Sequence, residues 1–506
     1  MEAPCDYQLA VADYWDGRPA MEPTAWVAGL PLQMTVAAPS NSDLVVSSSG
    51  RQQLKQVDEY DHYAVQVFEQ AAESLKERVE EMETKMHLFP PSMGDLADEY
   101  AAPKVVSIGP YHHGRTPALQ EMESVKHAAA CHFVKATGRP IQEVYWAVCT
   151  VAEEARAHYD AGRLGALGDD DFKPMMFLDG CFLLQYMQFW CRESGGDEDP
   201  DMDPSLYNAF SSIDRPILSD VVLLENQLPW VVIDALLSFL PPPGLDMETL
   251  IGRVKQTLQT RQVRYFDAPK LDHTPPHLLG LLRHHIVGSN DTKKSEPELS
   301  ERAKELSVSV SAMELAEIGI EITATKATRE GAELRNMGVR RSAYLTGELF
   351  LAPLSLNDAN ATFLVNMAAL EQCTTPDFFG EDEEKSAVCS YLCLLGMVTD
   401  SEEDVQQLRK KGILQGGAGL SNRDALDLLN KLENRLRPGT HYLSTMILIQ
   451  NYKTDRWKRI QFHKFHYNHR KAIFLTFSGV AGFASFLGTL KSLKLEFLLL
   501  FQLLNR

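Results

Sequence analysis

The chain has 506 residues, with 49 Lys plus Arg against 69 Asp plus Glu, a formal net charge of -20 and 44% hydrophobic residues. At about 150 residues per domain this length makes two to four domains, with apolar material for a large core, which excludes a wholly disordered or fibrous chain. The excess of acid excludes a general nucleic-acid binder, because phosphate backbones select basic surfaces.

Residues 1–56 are rich in Pro, Ser and Ala without sustained periodicity and read as a disordered arm. The first part of that arm carries acids where a secretory signal needs a basic region, and no continuous apolar stretch, so no cleavable signal is expected. Over 57–87, Tyr60, Ala64, Val67, Phe68, Ala71, Leu75, Val79, Met82 and Met86 recur at three- and four-residue steps. That spacing predicts a long amphipathic helix, either packed on the protein's own body or paired with a partner helix.

From 88 to 440 the pattern is helix after helix. Met122, Val125, Ala129 and Phe133 mark one face, and 171–191 is apolar almost all round, as a central helix requires. The acidic stretch 195–203 reads as a solvated loop. Pro229 predicts one helix ending near Gln227 and another beginning at Pro229. Between Ile320 and Leu351 the periodicity changes to alternation, which predicts a small β-hairpin. Helix returns over 357–372, 385–399, 401–414 and 421–436, with Ser401 as an N-cap and Asp404 at its third helical position.

The tail inverts the charge. Residues 441–506 hold ten basic and two acidic side chains, leaving residues 1–440 with 39 basic, 67 acidic and a net of -28. Residues 472–490 (AIFLTFSGVAGFASFLGTL) contain no charge, near the roughly 20 that a spanning helix needs. Residues 441–471 before them are basic and aromatic and read as a juxtamembrane segment, while 491–506 form a short apolar end. Seven Lys and Arg in 452–471 against three in 491–506 place the body on the cytosolic side of a membrane, with the plasma membrane favoured. The competing reading is a soluble scaffold whose 472–490 helix packs internally. Two glycosylation sequons, at Asn290 and Asn360, offer a test of topology.

A family resemblance rests on five ordered blocks. They are APKVVSIGPYHHG (102–114), EMESVK (121–126), MMFLDGCF (175–182), DVVLLENQLPW (220–230) and NMAALEQ (366–372). Their order and spacing resemble the plant domain-of-unknown-function 247 family, over roughly 88–490. The resemblance implies a plant-specific, mostly helical protein with one C-terminal anchor and no assigned catalysis. Some grass members of the family resemble self-incompatibility determinants, so it further implies recognition or signalling through an unidentified protein partner. The blocks supply the candidate residues: Gly109, Pro110, Tyr111, His112, His113, Gly114, Glu123, Lys126, Asp179, Glu225, Asn226, Gln227, Pro229, Trp230, Asn366, Glu371 and Gln372.

The chemistry of these residues is weighed on its own terms. No GxSxG, Walker A, strand-following GxGxxG, HExxH or CxxC pair is present. Eight scattered cysteines read as reduced core thiols, and Cys389 and Cys393, four apart, lack a second ligand pair for zinc. His112 and His113 are either metal or acid/base groups or, beside Gly109, Pro110 and Gly114, caps of adjoining helices. His463, His466 and His469 read as a solvated face or a pH-sensing site. Asp179, Glu225 and Glu371 lie inside apolar runs, where an unpaired charge is costly. They form either an acid/base set, as in a hydrolase, or a network bonded to Asn226, Gln227, Asn366 and Gln372 that locks helices together.

The expectation is therefore a mainly α protein: a multi-helix globular body with a small β-hairpin insertion and one C-terminal transmembrane helix. It acts by recognition, binding a protein partner through the body and membrane lipid through the tail, without nucleic acid, cofactor, metal or catalysis.

Overall fold

Capping residues fix where the helices begin. Ser401 accepts from Asp404 N while the Asp404 carboxylate accepts from Ser401 N, a reciprocal box repeated by Ser421 with Asp424 and by Ser311 with Glu314. In this computed structural model the described residues are 65–73, 81–165, 167–191, 202–241, 244–259, 275–288, 310–325, 333–341, 347–380, 383–416 and 419–455. The chain divides into two compact units, Met1–Glu73 and Ser74–Arg506. In the first, residues 65–73 are helical, with Val65, Val67 and Phe68 exposed; the expected arm over 1–56 lies outside the described residues.

The second unit holds two sets of helices in chain order, termed the first and second layers. The first comprises α1 (Gly94–Tyr100), α2 (Pro117–Thr137), α3 (Ile141–Ala157), α4 (Ala161–Leu164), α5 (Asp169–Cys191), α6 (Pro204–Ser212), α7 (Asp214–Val221), α8 (Trp230–Leu237) and α9 (Met247–Gln259). Its centre is α5, packed by α2, α3, α8 and α9. Gly180 lets α8 approach, since a Cβ there would meet Leu236 Cδ1 at 2.6 Å. The second layer adds α10 (Leu278–Val287), α11 (Ala312–Glu317), α12 (Asp358–Thr374), α13 (Ala387–Met397), α14 (Glu402–Lys410), α15 (Asn422–Arg435) and α16 (Thr440–Asp455). Here α13 is buried along its whole length, against α12, α15 and α16.

Several expectations change. The hairpin is larger than alternation alone indicates. Strands β2 (Gly338–Arg341) and β3 (Gly347–Leu351) pair antiparallel, and β1 (Ile320–Ala324) adds to β3 in parallel, giving the order β1-β3-β2. A second small sheet pairs β4 (Leu354–Ser355) with β5 (Leu414–Gln415) in parallel. The helix expected to end near Gln227 stops at Val221, because the side chains of Asn226 and Gln227 bond the backbone of the following turn.

The anchored architecture is also corrected. No helix among the described residues is long and apolar enough to cross a membrane, so neither the single-pass span nor the membrane location with a cytosolic body is supported. The segment 472–490, on which both rested, lies outside the described residues. The longest helix among the described residues, α5, carries Lys173, Asp179 and Gln185 and is packed by other helices, which makes it a core element. The first half of the expected juxtamembrane segment belongs to the body: α16 buries Leu443, Met446, Ile449 and Tyr452, and packs on α13 and β2. The basic residues of the expected segment other than Lys453 fall in 456–471, outside the described residues.

Candidate functional site

Residues 104–109 run through the first layer without a β partner, and from Val106 to Gly109 they are buried. A buried N–H must find an acceptor. Side chains from α7, the turn after it and α5 provide it. Asp220, at the end of α7, accepts from Lys104 N (3.0 Å), Val105 N (2.7 Å) and Val106 N (2.9 Å). Asn226 Oδ1 accepts from Ile108 N at 2.6 Å, while its Nδ2 donates to Val106 O and Asp220 O. Asp179 Oδ2, from α5, accepts from Gly109 N at 2.7 Å.

Gly109 has φ +71, and a Cβ on it would meet Tyr159 Oη at 2.7 Å and Gln227 O at 2.9 Å. Only glycine fits that close approach. The chain then turns through Pro110 and Tyr111, whose hydroxyl donates to Met86 O and accepts from Asp160 N. Gly114, at φ +65, completes the turn ahead of Thr116, which caps α2. The histidines therefore cap no helix.

His112 is buried and faces Glu225 through Nε2 at 2.9 Å. Arg115 NH1 lies 3.2 Å from His112 Nδ1. Because arginine only donates, Nδ1 accepts and the ring proton sits on Nε2, toward Glu225. Burial pushes the Glu225 carboxyl up, but the bonds from His112 and from Phe89 N, with the Arg115 charge, outweigh it and hold Glu225 below the ordinary range. His113 is exposed, 3.9 Å from Glu123.

Beneath the turn, Lys126 is wholly buried, with Nζ 2.7 Å from both Asp179 Oδ1 and Glu123 Oε1. Burial opposes the lysine charge, yet the two carboxylates outweigh it and hold Lys126 above its usual value. Burial pushes Asp179 up, against Lys126 and the Gly109 N–H.

Gln227 closes the network: Nε2 donates to Val221 O and Leu223 O, and Oε1 accepts from Leu279 N. Pro229 precedes α8, and Trp230 N donates to Pro276 O at 2.9 Å. Asn366 joins the layers: Oδ1 accepts from Leu224 N, and Nδ2 donates to Tyr100 O.

Family comparison fits this geometry. The model of the family described as plant protein of unknown function, domain of unknown function 247, matches residues 86–484. The chain belongs to this family. A UPF0481 protein of Arabidopsis thaliana is similar to it, 25% identical over 395 residues that span 75% of this chain and 79% of the relative. No solved structure matches it.

In this member of the domain of unknown function 247 family, the first four sequence blocks meet at the 104–114 segment, with Asn366 reaching them from the second layer. Glu371 and Gln372 stand apart. Glu371, fully buried, accepts from Arg283 Nε at 3.0 Å, Val388 N at 2.9 Å and Cys389 N at 2.8 Å. It thus ties α10 to the first turn of α13. Burial raises its pKa, against Arg283 and those two amides. Gln372 accepts from Arg437 Nε at 2.8 Å.

Asp179 and Glu225 reach the same turn while Glu371 stands apart, and none bonds the four amide side chains expected of them; each carboxylate has its own cationic or histidine partner and at least one backbone N–H. Sequence reading missed Asp220, Arg283 and Tyr159. Asp220 opens its block ahead of an apolar run, and Arg283 is a lone cation in LLGLLRHHIV, so each carried the signal that exposed Asp179. Cys389 and Cys393 are buried free thiols, and among the described residues no group of three or more His, Cys, Asp or Glu is placed to hold a metal. The Asn360 sequon is closed in the folded chain, since its amide is buried and donates to Thr257 O and Ser355 O. Asn290 and His463, His466 and His469 lie outside the described residues.

Proposed function

We propose that the body acts by recognition, binding a protein partner, with no catalytic step of its own. The observation that supports this reading is how the buried carboxylates are used. Asp179, Asp220, Glu225 and Glu371 all hold backbone N–H groups, and three of them also face Lys126, His112 or Arg283. A carboxylate occupied in this way is a poor general base, and the one thiol beside them, Cys389 next to Glu371, is fully buried and pushed well above its usual pKa by that burial. The net charge of -28 over residues 1–440 favours a partner with a basic face.

The test assays the purified full chain against chromogenic esters, phosphate esters and glycosides, alongside Glu225→Gln and Asp179→Asn. Recognition predicts no turnover above buffer, and variants that lose thermal stability first. A turnover abolished by Glu225→Gln at unchanged melting temperature would sink the proposal. In parallel, a partner found by cross-linking in plant cells and then purified should bind the isolated chain directly, and more weakly as salt rises.

A further inference from the structure

Beside the start of the 104–114 segment, a cavity of about 550 Å³ opens between α7, the end of α1 and the start of α12. Its size suits a small organic ligand, since such sites run from about 300 to 1,000 Å³. Four features of its wall identify the ligand's chemistry.

Ser355 lines the cavity while only 2% exposed. Its carbonyl accepts from Asn360, but its hydroxyl has no hydrogen-bond partner among the described residues. The residue is buried, yet its hydroxyl borders the cavity, where a ligand oxygen can take the bond that no side chain supplies. Gly416, at φ +101, lies against it, and a Cβ there would come within 3.2 Å of Ser355 Oγ. Any larger residue would press on the hydroxyl.

The second feature is the start of α12, a 17-residue helix. Asn357 caps Asn360 N, and Ala361 N reaches Asn357 O, which leaves the Asp358 and Ala359 N–H groups at the cavity wall without a protein acceptor among the described residues. Such amides favour an anionic group.

Charge supplies the third and fourth features. Lys104 and Arg215 contribute two cations to the lining, and neither is in an ion pair among the described residues. Glu99 and Asp358 contribute two carboxylates, also without an ion pair. The third carboxylate, Asp220, accepts from the amides of residues 104–106 and is also held by the Lys104 charge. A pocket for a polyanion would carry an excess of cations. This one carries no such excess: three carboxylates, Glu99, Asp220 and Asp358, stand against two cations, beside an unmatched hydroxyl and a helix start.

We propose that this cavity binds a small zwitterion bearing a carboxylate and an ammonium group, of amino-acid to short-peptide size. The carboxylate sits on the Ser355 hydroxyl and the Asp358 and Ala359 N–H groups, near Arg215 and Lys104; the ammonium faces Glu99 and Asp358. The site is independent of the protein-partner reading.

Thermal shift and titration calorimetry on the full chain test it, with the twenty free amino acids, a set of dipeptides, and sodium acetate and inorganic phosphate as controls. At least one amino acid or dipeptide should raise the melting temperature saturably, and blocking either its amine by acetylation or its carboxylate by amidation should weaken binding tenfold or more. Arg215→Ala, an exposed position, should weaken it tenfold with the fold intact, as should Ser355→Ala. If Ser355→Ala does not fold, the Arg215 variant and the blocked ligands carry the decision. A panel with no binder, a response to phosphate alone, or binding indifferent to Arg215→Ala would overturn the assignment.

Discussion

The two fully buried carboxylates, Asp179 and Glu371, answer the same physical problem in different ways. Asp179 meets a lysine that is itself wholly buried, and together they hold a single amide of an irregular turn. Glu371 meets an arginine whose side chain keeps 17% of its surface exposed, and holds two amides at the start of a helix. In the first region the charge is sealed between helices, so its balance is internal. In the second the cation reaches water and the carboxylate serves as a remote helix cap. Identical chemistry therefore has unequal tolerance to loss.

The sharpest way to break the comparison is Lys126→Met. It leaves Asp179 charged or forces its protonation in a dry site, and the expected loss is about 3–5 kcal/mol by denaturant unfolding. Adding Asp179→Leu removes the orphaned charge and should recover a large part of that loss; a double variant no more stable than the single one would mean that the turn depends on the Asp179 carboxylate itself.

Glu371→Gln should cost less, about 1–3 kcal/mol, because Arg283 turns to solvent and one amide oxygen still accepts. An effect equal to that of Lys126→Met would erase the distinction between the regions. Gly109→Ala separates backbone from charge: the left-handed φ alone costs about 1–2 kcal/mol, with the displacement of Tyr159 added.

The smallest effect concerns pH. Glu225 titrates below its ordinary value in the folded chain, so its stabilisation is fully present above the unfolded carboxyl pKa of about 4.3 and is lost as pH falls through the lower folded value. Asp179 and Glu371, raised by burial, act with the opposite sign and partly offset that loss. The melting-temperature gap between the parent chain and Glu225→Gln should shrink on acidification; a gap that widens would reverse the assignment.

Much of this was legible from residues alone. Period and caps gave α5, α12, α14 and α15, since an all-round apolar run or a Ser-x-x-Asp start has a local cause. The buried carboxylates were visible as charges in apolar runs. Their partners were not, because Asp220 and residues 104–106 meet across more than 110 positions of chain, and no local pattern encodes such a meeting. Alternation over 320–351, plainest in the run that ends in β3, revealed strands but not the parallel pairing of β1 with β3, which is likewise non-local. Residues 441–455 were grouped with the tail only by position: they carry one Lys and one Asp, and their buried Leu443, Met446, Ile449 and Tyr452 meet α13 and β2, partners that are distant in the chain.

The bond from Asn366 Nδ2 to Tyr100 O joins residues 266 positions apart. On a ribosome adding about 5–20 residues per second, Tyr100 leaves the tunnel some 13–53 s before its partner has been made. During that interval the turn at 104–109 already has its own sequence but not the asparagine that fastens its layer to the next. A nascent chain halted before α12 would expose the apolar faces of α1 and α7 to solvent, so the demand on chaperones should fall mainly on the first two thirds of synthesis and end soon after residue 366 emerges.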